Sequence, residues 1–443
     1  MQLASDVILE EVRQDTPTYG AIFPFVGKFN LGSPAAFTTG QPFEHFKLLR
    51  EQAPVSWSPM AKKTRGFWSL TRYDDIKTAE LAPDIFSSAR GSINMALPPK
   101  YARFPKKLMP AAINNLINLD APQHMELRIQ QKDFFIPRFV ATLTEKVGRK
   151  IDSLLDDLEA QAKQTGEVDF VKLFTEQLPL FTLCEMLGVD EDDRPNIIRW
   201  MHYLEMAQQV AAAPWDVIKS DPLFLPRYIK NVNEMFAYGE RVMADRRANP
   251  REDLLTAIAQ STLDDKLLPQ EYLDGSWLLI LFAGNDTTRN SLAGTMRLLT
   301  QFPDQKKLVI EDLTLIPKML QESLRMTSPV MHMRRTAMED TIIRGQKIAK
   351  DEKVILWYGA GNRDPEVFAD PDRFDILRAN ASKHLAFGHG PHKCLGSRIA
   401  DLQLRLAYEK ILERFPNIHW TGEQTLAPNN FVHAISKLMV RLD

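Results

Sequence analysis

The sequence predicts a mainly α fold with small β-sheets (α+β), in a single domain over residues 1–443. Apolar residues recur at spacings of three and four through most of 120–330, the period of a helix with one buried face. Short runs rich in aromatic and β-branched residues sit towards the two ends, as in half-buried strands. No Gly/Ser linker, low-complexity tract, block of like charges or internal repeat marks a boundary, although 443 residues would by length accommodate two or three domains.

In chain order, the amino-terminal MQLASDVILEEVRQDTPTYG has neither a basic stretch leading into an apolar one nor about 18 consecutive apolar residues. No secretory signal or membrane span is expected, and the cytoplasm is the expected location. Residues 54–58 and 66–71 (PVSWS and GFWSLT) are expected to pair as short strands. VGRKIDSLLDDLEAQAKQ, from Val147, and EYLDGSWLLILFAGNDTTRNSLAGTMRLLTQF, from Glu271, carry the clearest helical period. From Thr336 to Tyr358 the pattern is extended, with a turn at Arg344 and Gly345 before the strand KVILWY. The last thirteen residues, FVHAISKLMVRLD, also read as strand.

Hydrophobic residues at 44% and charged residues at 25% fit a globular protein with a large core. A net charge of −2 offers no basic face for nucleic acid. The two cysteines, Cys184 and Cys394, stand 210 positions apart and form no disulfide framework, which fits a reducing compartment. Cys184 lies in the apolar run LPLFTLCEML and is expected to be an inert core residue.

Cys394 has different surroundings. In FGHGPHKCLG, Phe387 stands seven residues before it, His392 two before and Gly396 two after. Gly388, Gly390 and Gly396 are expected to let the backbone turn tightly and approach a flat ligand, and amides freed by such a turn can face a sulfur anion. This string resembles the haem-binding loop of the cytochrome P-450 superfamily. The resemblance implies the cytochrome P-450 fold in one domain, a haem b cofactor and Cys394 as the axial thiolate ligand to its iron, with Phe387 and Gly388 against the haem. A thiolate ligand favours O–O cleavage over oxygen carriage.

Other motifs follow in family order. Glu322 and Arg325 lie three apart on a helix that stops before Pro329, a spacing that permits pairing. Glu10 with Arg13 and Glu191 with Arg194 share that spacing and read as surface pairs. The resemblance makes the Glu322–Arg325 pair structural, locking the segment that contains Arg373 and Phe374. Haem propionates need cationic or hydrogen-bonding partners. The resemblance assigns them His124, Arg128, Arg335 and His392, with Arg335 preferred to Arg334 by its distance from the following Thr-Ala.

AGNDTT, Ala283 to Thr288, interrupts a long apolar helix. A mid-helix glycine costs about 1 kcal/mol relative to alanine, and polar residues that break local rules in a core helix mark function. The resemblance places Asp286 and Thr287 as an acid and alcohol pair at a widened helical turn facing bound O2, with Ala283 and Gly284 leaving room. The segments that the resemblance places around the pocket, 91–116, 199–226 and 429–436, are rich in apolar side chains, which favours a hydrophobic substrate. Met331, Phe282, Ile93 and Phe431 are the expected contacts.

The implied activity is hydroxylation of a sterol side chain, terpene, fatty acid or alkane with O2. Only 49 residues follow Cys394, too few for a flavin or iron–sulfur module. Electrons are therefore expected from NAD(P)H through a ferredoxin reductase and a ferredoxin, docked near Lys393 and Arg398. Three other readings compete. A peroxygenase would lack the acid and alcohol pair, and a haem sensor or carrier would not need it. A zinc site at His389, His392 and Cys394 would want a fourth ligand.

Overall fold

A computed structural model describes residues 16–23, 29–58, 60, 65–93, 95, 105–212, 221 and 223–443, with side chains left out of the description from 205 to 212. Helices dominate, and the helix Gln270–Gln301 runs through the middle of the molecule. At 1.5 Å per residue its 32 residues span about 48 Å. It packs against the helices Gln177–Leu187, Phe224–Ala248 and Ile316–Thr327. Twenty of its residues are buried, polar ones among them, which is why its sequence lacks a simple polar face.

The helix Pro137–Thr165 shows the opposite pattern. Proline opens it, where the missing N–H costs nothing, and Gly166, at φ +78°, ends it. Val140, Leu143, Val147, Ile151, Leu154 and Leu158 form its single buried stripe, laid against the helix Ser397–Arg414.

Five strands form the main sheet, in the order Val55–Ser58, Phe67–Leu70, Lys353–Trp357, His332–Ala337 and Phe86–Ser87. Phe67–Leu70 and Lys353–Trp357 run parallel, and the other pairings are antiparallel. Val354 and Leu356 enter one core cluster while Ile355 and Trp357 enter another, so both faces of this strand are covered and it reads as a continuous apolar run. The turn at Arg344 and Gly345 joins Thr341–Ile343 to Gln346–Ile348 as expected, and Tyr358 begins a short helix instead of ending a strand.

The carboxy-terminal reading needs correction. Only Ile435–Arg441 is continuous strand; Val432 makes an isolated antiparallel bridge to Val330, and the Asn429 side chain accepts from the Phe431 and Val432 amides. Its partner, His419–Leu426, was not anticipated, because it is polar and largely open to solvent. Cys184 is buried in the main core, as expected, and burial pushes its thiol up to about 11. Among the described residues no helix is long and apolar enough to cross a membrane.

Candidate active site

The loop before the helix Ser397–Arg414 is closed by short backbone bonds. Gly388 N–H donates to Leu385 O at 2.8 Å, Lys393 N–H to Gly390 O at 3.1 Å, and Cys394 N–H to Phe387 O at 2.8 Å. Gly388 and Gly390 have φ of +67° and +64°, where side chains with a Cβ are strained. A Cβ on Gly390 would also lie 2.5 Å from the Glu80 carbonyl oxygen. Gly396 is different: its φ is −81° and nothing lies within 4 Å of its would-be Cβ. It does not make the turn, contrary to expectation. Its amide bonds to the Cys394 sulfur.

Cys394 is exposed, yet burial is the largest influence on its thiol. It pushes the pKa up, against the Gly396 amide, Arg128 and Lys393. Its sulfur is thus reachable yet closely surrounded by protein. Ala283 behaves similarly, being exposed halfway along an otherwise well-covered helix.

Next to Ala283, the Thr287 hydroxyl donates to the Ala283 carbonyl at 3.1 Å. Asp286 is buried and pairs with Arg289 at 3.2 Å, while Asn285 Nδ2 lies 3.5 Å from the same carboxylate oxygen. The helix is α throughout this stretch, without the expected widened turn. Thr287, Ser291 and Thr295 each bond the carbonyl four residues earlier, which satisfies their hydroxyls without opening the helix.

The residues expected at the propionates come together. His124 opens the helix Gln123–Gln131, with Arg128 one turn on, and the His124 and His392 rings lie 4.0 Å apart. Arg128 donates to Lys393 O at 2.6 Å. Burial, with Arg128 and Arg335 nearby, pushes His124 down to about 4. Burial, then Arg335, His124 and Arg128, push His392 to about 2. Two guanidinium groups and two imidazoles thus crowd one another. The carboxylate paired with Arg335 is Glu80, at 3.7 Å, in the helix Tyr73–Leu81. Sequence reasoning missed Glu80. Arg334 sits on the other side of its strand, its backbone amide bonded to Ile93 O and its guanidinium against Gly91.

Behind the site, Arg325 holds Glu322 through bonds of 2.8 and 2.7 Å, both side chains fully buried. It also donates to the carbonyls of Asn362, Pro371 and Arg373, tying down the Arg373–Phe374 segment. The Arg373 side chain itself is exposed; the second guanidinium on Glu322 is Arg378, at 3.0 Å. Neither look-alike pair matters here. Arg194 pairs with Glu185, not Glu191, and Glu10 and Arg13 lie outside the described residues.

Of the expected substrate contacts, Phe282 and Phe431 stack with centroids 6.5 Å apart and stay partly open. Ile93 and Met331 are buried, Met331 in a cluster with Phe37 and Trp357. Met333 is partly open instead. It shares a strand face with Arg335, two residues on, but Met331 has the same parity, so the period of two alone does not separate the two methionines. Much of 91–116 and 199–226 lies outside the described residues. His389, His392 and Cys394 are not among any metal-binding cluster of the described residues.

A reachable thiol closely surrounded by protein with an amide on its sulfur, a crowded set of donors suited to two carboxylates, and a polar interruption in a core helix define a haem-thiolate type of site. The comparisons agree. The cytochrome P-450 family model matches residues 96–438. The chain is 33% identical to linalool 8-monooxygenase of Pseudomonas putida, over 93% of this chain and 98% of that protein. It is 31% identical to a methyl-branched lipid omega-hydroxylase of Mycobacterium bovis, over 89% and 90%. A Mycobacterium marinum cytochrome P-450 in complex with pseudoionone superposes with a TM-score of 0.83 at 30% identity, covering 95% of this chain and all of that one. The chain belongs to the cytochrome P-450 family. It is a monooxygenase whose cofactor is a haem with a thiolate on its iron, and the residues present fit that group.

Proposed function

We propose that the chain hydroxylates an apolar terpenoid or branched alkyl chain, on a haem held by Cys394, with electrons from a separate ferredoxin. The carrying observation is Cys394 itself, accessible inside the fold with the Gly396 amide on its sulfur. When bound, the haem iron supplies oxygen activation, and the thiolate favours O–O cleavage. His124, Arg128, Arg335 and His392 would hold its propionates, and Phe387 and Gly388 would pack against it.

Thr287 holds its hydroxyl proton on the Ala283 carbonyl and can release it by one side-chain rotation. Asp286 relays protons to Thr287 by leaving Arg289. The small side chain of Ala283 leaves room at the site, whereas Gly284, expected to do the same, makes room for Leu183, which a Cβ there would approach to 3.3 Å. Phe282, Phe431 and Met333 form the apolar wall that orients the substrate and excludes water. The names of the linalool and methyl-branched lipid enzymes and the pseudoionone complex support that substrate class. Lys393 and Arg398, both exposed beside the cysteine loop, offer positive charge to an acidic ferredoxin served by an NAD(P)H-dependent reductase. We place this reaction in the cytoplasm.

Cys394→Ser is expected to abolish the strongly red-shifted absorption of the ferrous carbon monoxide complex; its persistence refutes the ligand assignment. Titrating the purified protein with linear terpenoids, methyl-branched fatty acids and steroids should give a low-to-high-spin shift for the first two. A shift with steroids alone refutes the substrate class. Thr287→Ala should keep binding but divert reducing equivalents to hydrogen peroxide, and tight coupling in that variant removes Thr287 from the proton path.

A further inference from the structure

Glu80 is 3% exposed and belongs to none of the roles above. Its carboxylate touches three elements that converge on the haem site. It accepts from the Tyr358 hydroxyl, pairs with Arg335 at 3.7 Å, and interacts with the His389 amide of the cysteine loop. Its own carbonyl is what forbids a Cβ on Gly390. One carboxylate oxygen, Oε2, is buried with no hydrogen-bond partner, an unusual cost for a group that serves only as filler.

Resting on the haem-thiolate reading, we propose that Glu80 is a positioning residue for Arg335, and that its protonation state sets how much of the Arg335 charge reaches the haem propionates. Ionised, Glu80 neutralises Arg335 and holds it towards the loop. Protonated, it leaves the guanidinium charge uncompensated on the propionate side. Burial pushes Glu80 up to about 7, against Arg335, Tyr358 and the His389 amide, so the change falls near neutral pH. Other titratable groups face it as well. Tyr358 is held well above its ordinary value by burial. The His389 ring is lowered by burial, then by Lys77 and Lys393. His124 and His392, beyond Arg335, lie near 4 and 2.

The test is a redox titration of the haem-loaded protein from pH 5.5 to 8.5, for wild type, Glu80→Gln and Tyr358→Phe. Lost negative charge favours the reduced iron, so the wild-type potential should rise as pH falls through about 7. One charge at an effective dielectric near 20 corresponds to about a ten-fold change in the reduction equilibrium, or about 59 mV. Glu80→Gln should sit at the upper value across the range, with the step gone. Tyr358→Phe removes a donor to the carboxylate and should move the step to higher pH. A step that survives in Glu80→Gln, or no step in wild type, overturns the proposal. The ferrous carbon monoxide band, which depends on Cys394 and not on Glu80, checks the underlying reading separately. Its absence in wild type sinks both.

Discussion

Replacing Arg378 is expected to destabilise the protein far more than replacing Arg373. Arg378 Nε donates to Glu322 at 3.0 Å, and its other nitrogens reach the carbonyls of Ala369, Asp370 and Arg373. A hydrogen bond to a charged group contributes about 1.5–3 kcal/mol and a neutral one about 0.5–1.5. Some of those carbonyls recover water when the side chain goes. Glu322 keeps Arg325 and the Asp375 amide, so the full 3–5 kcal/mol typical of an orphaned buried charge does not apply. The balance is about 3 kcal/mol for Arg378→Ala, against less than about 0.5 for the exposed Arg373→Ala. Urea unfolding of the haem-loaded protein, followed by fluorescence and haem absorbance, should show a midpoint about 1 M lower for Arg378→Ala. Equal midpoints, or a larger drop for Arg373→Ala, would refute the assignment of Arg378 to the Glu322 network.

Gly390→Ala should destabilise the cysteine loop by about 2 kcal/mol or more, from left-handed strain plus the clash with Glu80, whereas Gly396→Ala should leave the unfolding midpoint unchanged. Met333→Ala should weaken binding of a spin-shifting ligand several-fold with little loss of stability; Met331→Ala, in the core, should cost about 2–5 kcal/mol. Burial holds His332 and His384 down at about 4, below their unfolded value of about 6.5. Their contribution is therefore complete above pH 6.5 and is lost as pH falls towards 4, by about 3 kcal/mol each. Unfolding measured from pH 7 to 4 should show this acid limb flattened in His332→Phe, and an unaltered limb counts against the buried neutral ring. Glu80 acts in the opposite sense, its raised pKa lowering stability as pH rises from about 4.5 to 7.

How far the sequence was legible follows from which residues repeat a pattern and which act through three-dimensional placement. The helix Pro137–Thr165 has one stripe and a glycine stop, so its period and end are both visible. Val55–Ser58, Phe67–Leu70 and Lys353–Trp357 were visible because burial on both faces demands aromatic and β-branched residues, whereas Phe86–Ser87 and most of the polar His332–Ala337 were not. His419–Leu426 was not, since a strand left to solvent carries no apolar alternation. The cysteine loop was the most legible local structure, because its turns need glycine at 388 and 390 and it encloses one of two cysteines. Gly396 shows the limit of that reasoning: a glycine beside a functional residue need not be there for its φ.

The misread residues share one cause. Arg373 and Arg378 are both arginines in a short irregular segment, and only the path of the chain after Asp370 decides which guanidinium turns inward to Glu322. Met331 and Met333 share a parity, and what separates them is that Met331 precedes the strand His332–Ala337 and packs into the cluster with Phe37 and Trp357. Glu80 is the extreme case. It follows the exposed Asp74 and the buried Asp75 in its helix, and nothing in YDDIKTAEL separates a solvated carboxylate from one enclosed by Tyr358, Arg335 and the cysteine loop. Such a carboxylate becomes detectable only when three segments distant in sequence, around residues 80, 335 and 390, are brought to one point. The site is thus readable from sequence where chemistry constrains a local backbone, and becomes opaque where charge is tuned across segments.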